Sequence, residues 1–138
     1  MAVNTQFSIA VHILAGLGYQ CGGGATSGRL AGSVNTSPSF VRRVLAKLSK
    51  AGLVHTEKGK SGTCRLGRAP ERISLLDIYK AVDAPRAIAI HSYPVEKSCP
   101  VSCHIKSALE KVQNKSQKAL EKSLNEISLA EVIADTKN

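Results

Sequence analysis

The sequence predicts a mainly α-helical fold with one small β-hairpin and a long helix in its last third. Three observations carry that expectation. Apolar residues recur at helical spacing in four stretches before residue 84. One pair of short strand-like runs flanks a turn rich in Gly and Lys at 58–62. From 102 to 125, apolar positions alternate at spacings near four and three, the narrow seam of a coiled coil.

The elements follow in order. Residues 4–18 form the first helix, with Phe7, Val11, Leu14, Ala15 and Gly18 on one face of a 3.6-residue period. The run Cys21-Gly22-Gly23-Gly24 ends it and makes a loop. Thr26 or Ser27 caps a second, short helix that turns Leu30, Ala31 and Val34 inward, and Asn35 and Thr36 make the turn after it. Ser37 is the N-cap of the third helix, Pro38 its first residue and Gly52 its stop. Val41, Val44, Leu45 and Leu48 are its buried stripe, while Arg43, Lys47 and Lys50 recur on another face.

Leu53–Glu57 and Thr63–Leu66 are the two strands of the hairpin, whose tip carries Lys58 and Lys60. A helix near 74–83 follows, then an irregular segment, 84–101, with Pro85, Pro94 and Pro100. The long helix runs from about Ser102 to Asn125, with Ile105, Leu109, Val112, Leu120 and Leu124 in its seam. So narrow a seam suits a partner helix, and pairing with a second copy of the chain is expected; the apolar tail Ile127–Ile133 would then cap that partner. Three segments result: 1–83, a connecting and candidate sensor loop at 84–101, and a dimerisation helix with its tail at 102–138.

Composition narrows the class. A chain of 138 residues makes one compact domain with a helical appendage. With no Trp, three Tyr and two Phe, its core is built from Leu, Ile, Val and Ala. No stretch approaches the roughly 18–20 apolar residues of a membrane span, and the polar Asn4, Thr5 and Gln6 break any secretory signal pattern. A cytoplasmic location is expected, and there the four cysteines do not imply a disulfide framework. The net charge of +9 is unevenly spread. Residues 1–72 hold ten Lys or Arg against Glu57 and Glu71, whereas residues 73–138 hold nine against eight acids. The first half is therefore suited to a polyanion.

Two short helices, a capped third helix and a basic hairpin, in that order, are the parts of a winged helix-turn-helix. The third helix fits the major groove, and its N-terminal residues reach base edges. Ser37, Ser39, Arg42 and Arg43 lie there, and an arginine pairs with guanine through two hydrogen bonds. Lys47 and Lys50 are placed for phosphates, and Lys58 and Lys60 for the minor groove or the backbone. Ser27, at the start of the second helix, joins the DNA-contacting set. The expected partner is double-stranded DNA, read by a homodimer, with repression as its default effect; no membrane and no small-molecule substrate is expected. A basic module for a protein partner is the rival reading. An enzyme is not expected, because the sequence has no phosphate loop, no nucleophile–base motif and no carboxylate pair on rigid elements.

The stretch SPSFVRRVLAKLSKAGLVHTEKGKSGTCRLGRAPERISLLDIYKAVDAP, residues 37–85, resembles the Rrf2 family of bacterial transcription regulators, the relatives of IscR, NsrR and CymR, and within it the YwnA-like branch. The resemblance implies a winged-helix dimer whose long C-terminal helices cross between subunits. It implies DNA contacts at Ser37, Ser39, Phe40, Arg42 and Arg43, and at Lys58 on the wing. There are departures. Cys64 stands where the family's wing usually has Tyr, and Arg42 stands where some members carry an acid. Iron–sulfur members place three cysteines before the long helix, whereas this chain has Cys99 and Cys103, followed by His104. Three readings of these residues stand open. With one more ligand they hold an iron–sulfur cluster. As a thiol pair at a helix N-terminus, which favours the nucleophilic thiolate, they switch by oxidation. Otherwise they are small, half-buried residues with no signalling role, no metal and no cofactor.

Overall fold

The computed structural model describes residues 4–19, 24–57 and 62–137. Its elements are α1 (Gln6–Tyr19), α2 (Ser27–Val34), α3 (Pro38–Lys50), β1 (Val54–Thr56), β2 (Cys64–Leu66), α4 (Leu75–Ala81), α5 (Pro100–Asn125) and α6 (Leu129–Thr136), with a 3-10 turn at Pro70–Arg72. The chain divides into two compact units, residues 1–84 with 124–138 and residues 85–123.

In the first unit α1 is the central helix, packed against α2, α3, α4, β2 and α6. Its buried residues are Ala10, Ile13, Leu14 and Leu17, while Phe7, Val11 and Ala15 pack half-buried against the same core. The inward face is thus rotated from the expected one. The helix is apolar on most of its circumference and packs against five other elements, so periodicity alone does not select the face. Thr26, rather than Ser27, caps α2: its hydroxyl accepts from the Arg29 amide at 3.2 Å. Asn35 closes that helix in the left-handed region, with φ 68°.

The expected signals of α3 are all in place. Ser37 Oγ accepts from the Phe40 amide at 3.3 Å, Pro38 opens the helix, and Val41, Val44, Leu45 and Leu48 are buried. Gly52 follows with φ 78°, which reverses the chain into the hairpin. The strands pair antiparallel, Val54 with Leu66, His55 with Arg65 and Thr56 with Cys64. A third segment joins them: Ala25 exchanges both backbone hydrogen bonds with Cys64, at 3.0 and 2.8 Å. Gly24, the last of the glycine run, permits this approach. A Cβ there would press on Thr63 and stand 2.8 Å from the Cys64 carbonyl oxygen.

Helix α4 ends at Ala81, short of the expected 83, because Asp83 turns left-handed at φ 50°. Two capping boxes then lie side by side, Ser74 with Asp77 on α4 and Ser128 with Glu131 on α6. They are joined as an antiparallel bridge, the Leu75 amide donating to the Ile127 carbonyl at 2.9 Å and the Leu129 amide to the Ile73 carbonyl at 2.8 Å. The bridge fixes the C-terminal segment on its own chain. Leu129 and Ile133 are buried in the core of the first unit, and Leu124 and Ile127 pack against it. The apolar tail thus packs on the core of its own chain, and residues 124–138 cluster with the first unit rather than with 102–123.

The second unit is α5 with the segment that precedes it. The segment has no regular structure but is stitched to the helix by side chains. Arg86 Nη1 donates to Asn114 Oδ1 at 2.8 Å, the Ala87 amide to Gln117 Oε1 at 3.1 Å, and Gln113 Nε2 to the Ile88 carbonyl at 2.8 Å. Gln117 is the only buried residue among the 26 of α5. Ile105, Leu109 and Leu120 are half-buried and Val112 is half exposed. No helix among the described residues is long and apolar enough to cross a membrane.

Candidate nucleic-acid interface

The buried stripe of α3 fixes which residues face outward. With Val41, Val44, Leu45 and Leu48 in the core, Ser37, Ser39, Arg42, Arg43, Ser49 and Lys50 are exposed. The N-terminal turn is preorganised. Ser37 Oγ lies 3.4 Å from Ser39 Oγ while capping the helix. The Arg43 guanidinium stacks on the half-buried Phe40 ring, 5.2 Å from its centroid, which restricts the arginine without using its donors. Phe40 thereby positions Arg43. No acidic residue sits in this first turn, so the amide-rich end of the helix and its two arginines present one positive face to an anion.

Arg42 lies on the side nearer the hairpin. With Ser27 of α2, Ser49 and Lys50 of α3 and Thr56 of β1 it lines a groove of about 660 Å³ between the helices and the wing. Ser27 is therefore brought to the same surface as the helix expected to read DNA. Lys47 departs from its expected place. It is half-buried and its Nζ donates to Gln6 Oε1 of α1 at 2.8 Å, so it ties α3 to α1. Sequence reasoning missed the contribution of Ser49 and Thr56 to the groove, since neither is charged and only the fold puts them beside Arg42.

On the wing, Arg65 pairs with Glu57 at 3.2 Å. Lys58 and Lys60 lie outside the described residues. Cys64 is buried between Thr56 Oγ1 and the Gly62 carbonyl, at 3.8 and 3.9 Å, and is part of the hairpin's packing.

The candidate sensor residues are in the second unit. Cys99 stands at the mouth of α5: the Ser102 amide donates to its Sγ at 3.4 Å, in the way an amide meets a capping oxygen. Cys103 lies one turn on and its thiol donates to the Lys97 carbonyl at 3.6 Å. Glu96 organises the turn that leads into Cys99. The Ser98 hydroxyl and amide both donate to Oε1, at 2.8 and 3.2 Å, and hold the Glu96 carboxyl below its ordinary range. His104 Nδ1 is 3.2 Å from the Pro100 carbonyl. The two thiols and the imidazole are each engaged with backbone of the same turn. No group of three His, Cys, Asp or Glu among the described residues is arranged to hold a metal ion.

Comparison with known proteins identifies the family and the fold. The Rrf2 family model, described as an iron-dependent transcriptional regulator, matches residues 3–135. The "Putative HTH-type transcriptional regulator YwnA" of Bacillus subtilis (strain 168) is 35% identical over 132 residues, covering 95% of this chain and 96% of that protein. A crystal structure of a "putative DNA binding protein" superposes with a TM-score of 0.74 at 33% identity, covering 93% of this chain and 98% of the other. CymR, the global cysteine regulator of B. subtilis, superposes with a TM-score of 0.71 at 20% identity over 97% of each chain, a likeness of fold.

Proposed function

The chain belongs to the Rrf2 family of transcriptional regulators, and we propose that it is a cytoplasmic, sequence-specific DNA-binding repressor that acts as a homodimer on a palindromic operator. The members it resembles are regulators and not enzymes. The observation that carries the reading is the exposed first turn of α3, where Ser37, Ser39, Arg42 and Arg43 stand together on a capped helix end with no acid among them. Arg43 is the base-reading residue, held by Phe40. Arg42, Lys50 and Ser27 take phosphates where the groove meets the wing.

The homodimer is supported by α5. The stripe Ile105, Leu109, Val112 and Leu120 is left partly open to solvent on a helix of 26 residues, which suits a second copy of the same stripe. Two reading heads joined in this way meet half-sites about one helical turn of DNA apart, which requires a palindrome. Such a dimer represses by occupying the operator.

The family description names iron; Cys99, Cys103 and His104 would need a further ligand to hold a cluster, and no group of three His, Cys, Asp or Glu among the described residues is arranged to hold a metal ion. The pair of thiols supports a redox input instead. A hydroperoxide oxidises one thiol to a sulfenic acid and leaves as the alcohol or water; the second thiol then displaces water and closes a disulfide. Closing it at the mouth of α5 removes the Ser102-to-Cys99 contact and loosens the first turn of the helix. After treatment with cumene hydroperoxide, mass spectrometry is expected to show loss of two hydrogens on the peptide holding both cysteines, and Cys103→Ser to stop at the sulfenic acid. Unchanged thiols in the wild-type protein would rule the redox input out.

A gel-shift titration against the DNA upstream of the protein's own gene tests the DNA reading. Arg43→Ala is expected to weaken specific binding by about 5- to 160-fold, since one two-pronged arginine–guanine contact carries about 1–3 kcal/mol of discrimination. Lys122→Ala, a cation on α5, is expected to leave it within about twofold. Equal losses would refute the assignment of α3, and tight binding to a protein partner without DNA binding would favour an interaction module.

A further inference from the structure

Where the end of α1, the strand β2, the 3-10 turn and α6 meet, the first unit contains an open cavity of about 550 Å³. Its floor is apolar, from Leu17, Leu66, Pro70, Ala130 and Ile133. Its rim is cationic, from Arg65, Arg68 and Lys137 against the one carboxylate of Glu71. Both the size and the composition, an apolar surface with a few convergent polar groups, are those of small-molecule sites.

The rim cations are lightly held. Arg65 meets Glu57 at 3.2 Å and Arg68 meets Asp77 at 3.3 Å, and all four side chains are about two-fifths to one-half exposed. Pairs so wet contribute little and are readily exchanged for another anion. Lys137 Nζ lies 5.4 Å over the Tyr19 ring, which keeps the charge beside the cavity. The geometry points to a site for a small organic acid, its hydrocarbon body on the floor and its carboxylate between Arg65, Arg68 and Lys137. A neutral guest leaves the rim unused, a cation is repelled by it, and a polyanion gains nothing from the floor. This site needs nothing of the DNA reading. It joins β2, the return strand of the wing, to α6, so an acid seated there acts on the wing from behind.

The test uses the full chain with octanoate and phenylacetate as probes and 1-octanol as the uncharged control, followed by methyl NMR and calorimetry. Both acids are expected to bind saturably, with the largest shifts at Leu17, Leu66 and Ile133, and octanol at least fivefold more weakly than octanoate. Lys137→Gln, on the exposed rim, is expected to weaken octanoate at least threefold and leave octanol unchanged. Ala130→Phe, which fills the floor, is expected to abolish binding of all three; if it unfolds, the Lys137→Gln result decides. Absence of saturable binding, equal affinity for octanol and octanoate, shifts centred elsewhere, or indifference to Lys137→Gln would overturn the site. So would loss of self-association in Ala130→Phe without acid binding in the parent, which would assign the cavity to a second copy of the chain.

Discussion

Arg42, Arg43 and Lys47 are sequence neighbours with different tasks, and only the core stripe and α1 separate them. Arg43 rests on Phe40 and faces out, Arg42 lines the groove beside the wing, and Lys47 is spent on Gln6. The exposure of the two arginines was legible, because the stripe Val41, Val44, Leu45, Leu48 fixes the opposite face of α3. The fate of Lys47 was not, since its acceptor lies 41 residues away in sequence. Arg42→Ala and Lys47→Ala therefore differ. Arg42→Ala is expected to weaken binding to specific and unrelated DNA alike, about fivefold at low salt, with a shallower salt dependence. Lys47→Ala is expected to change DNA affinity less than twofold and to lower thermal stability slightly. A DNA defect in Lys47→Ala as large as that in Arg42→Ala would return Lys47 to the interface.

At the scale of elements, local signals gave the ends and long-range pairing gave the faces. Ser37, Pro38 and Gly52 mark α3 in the sequence and cap it in the structure. Both capping boxes are equally plain in Ser74-Leu75-Leu76-Asp77 and Ser128-Leu129-Ala130-Glu131, but their bridge is not, because it joins segments 54 residues apart. That bridge is why the tail returns to its own core. It also narrows the dimerisation stripe. Leu124 packs within the first unit, so the proposed dimer contacts are Ile105, Leu109, Val112 and Leu120. Leu109→Glu, on a half-buried position of α5, is expected to convert the dimer to monomer in sedimentation equilibrium while leaving the helical circular dichroism within a few per cent. A dimer that survives Leu109→Glu would place the interface elsewhere. The glycine run shows the same division. Its loop character was legible, but the need for Gly24 against Cys64 depends on the Ala25–Cys64 bridge, which no local pattern announces.

At the scale of the whole chain, the positive charge belongs to the half that carries α3 and the wing. That distribution, readable in the sequence, supports DNA as the partner, and the exposed turn at Ser37–Arg43 is its proposed reading head. The input was less legible, because two cysteines and a histidine in one turn fit several chemistries on paper. In the fold each is engaged with the backbone of that turn, and the thiol switch is the proposed input. The most direct test of the central claim is a footprint of the purified protein on the DNA upstream of its own gene, with unrelated DNA of equal length as competitor. The account predicts protection of a palindrome whose half-sites are about one helical turn apart, with affinity at least about a thousandfold above that for the competitor. Protection without a palindrome, or equal affinity for unrelated DNA, would contradict it.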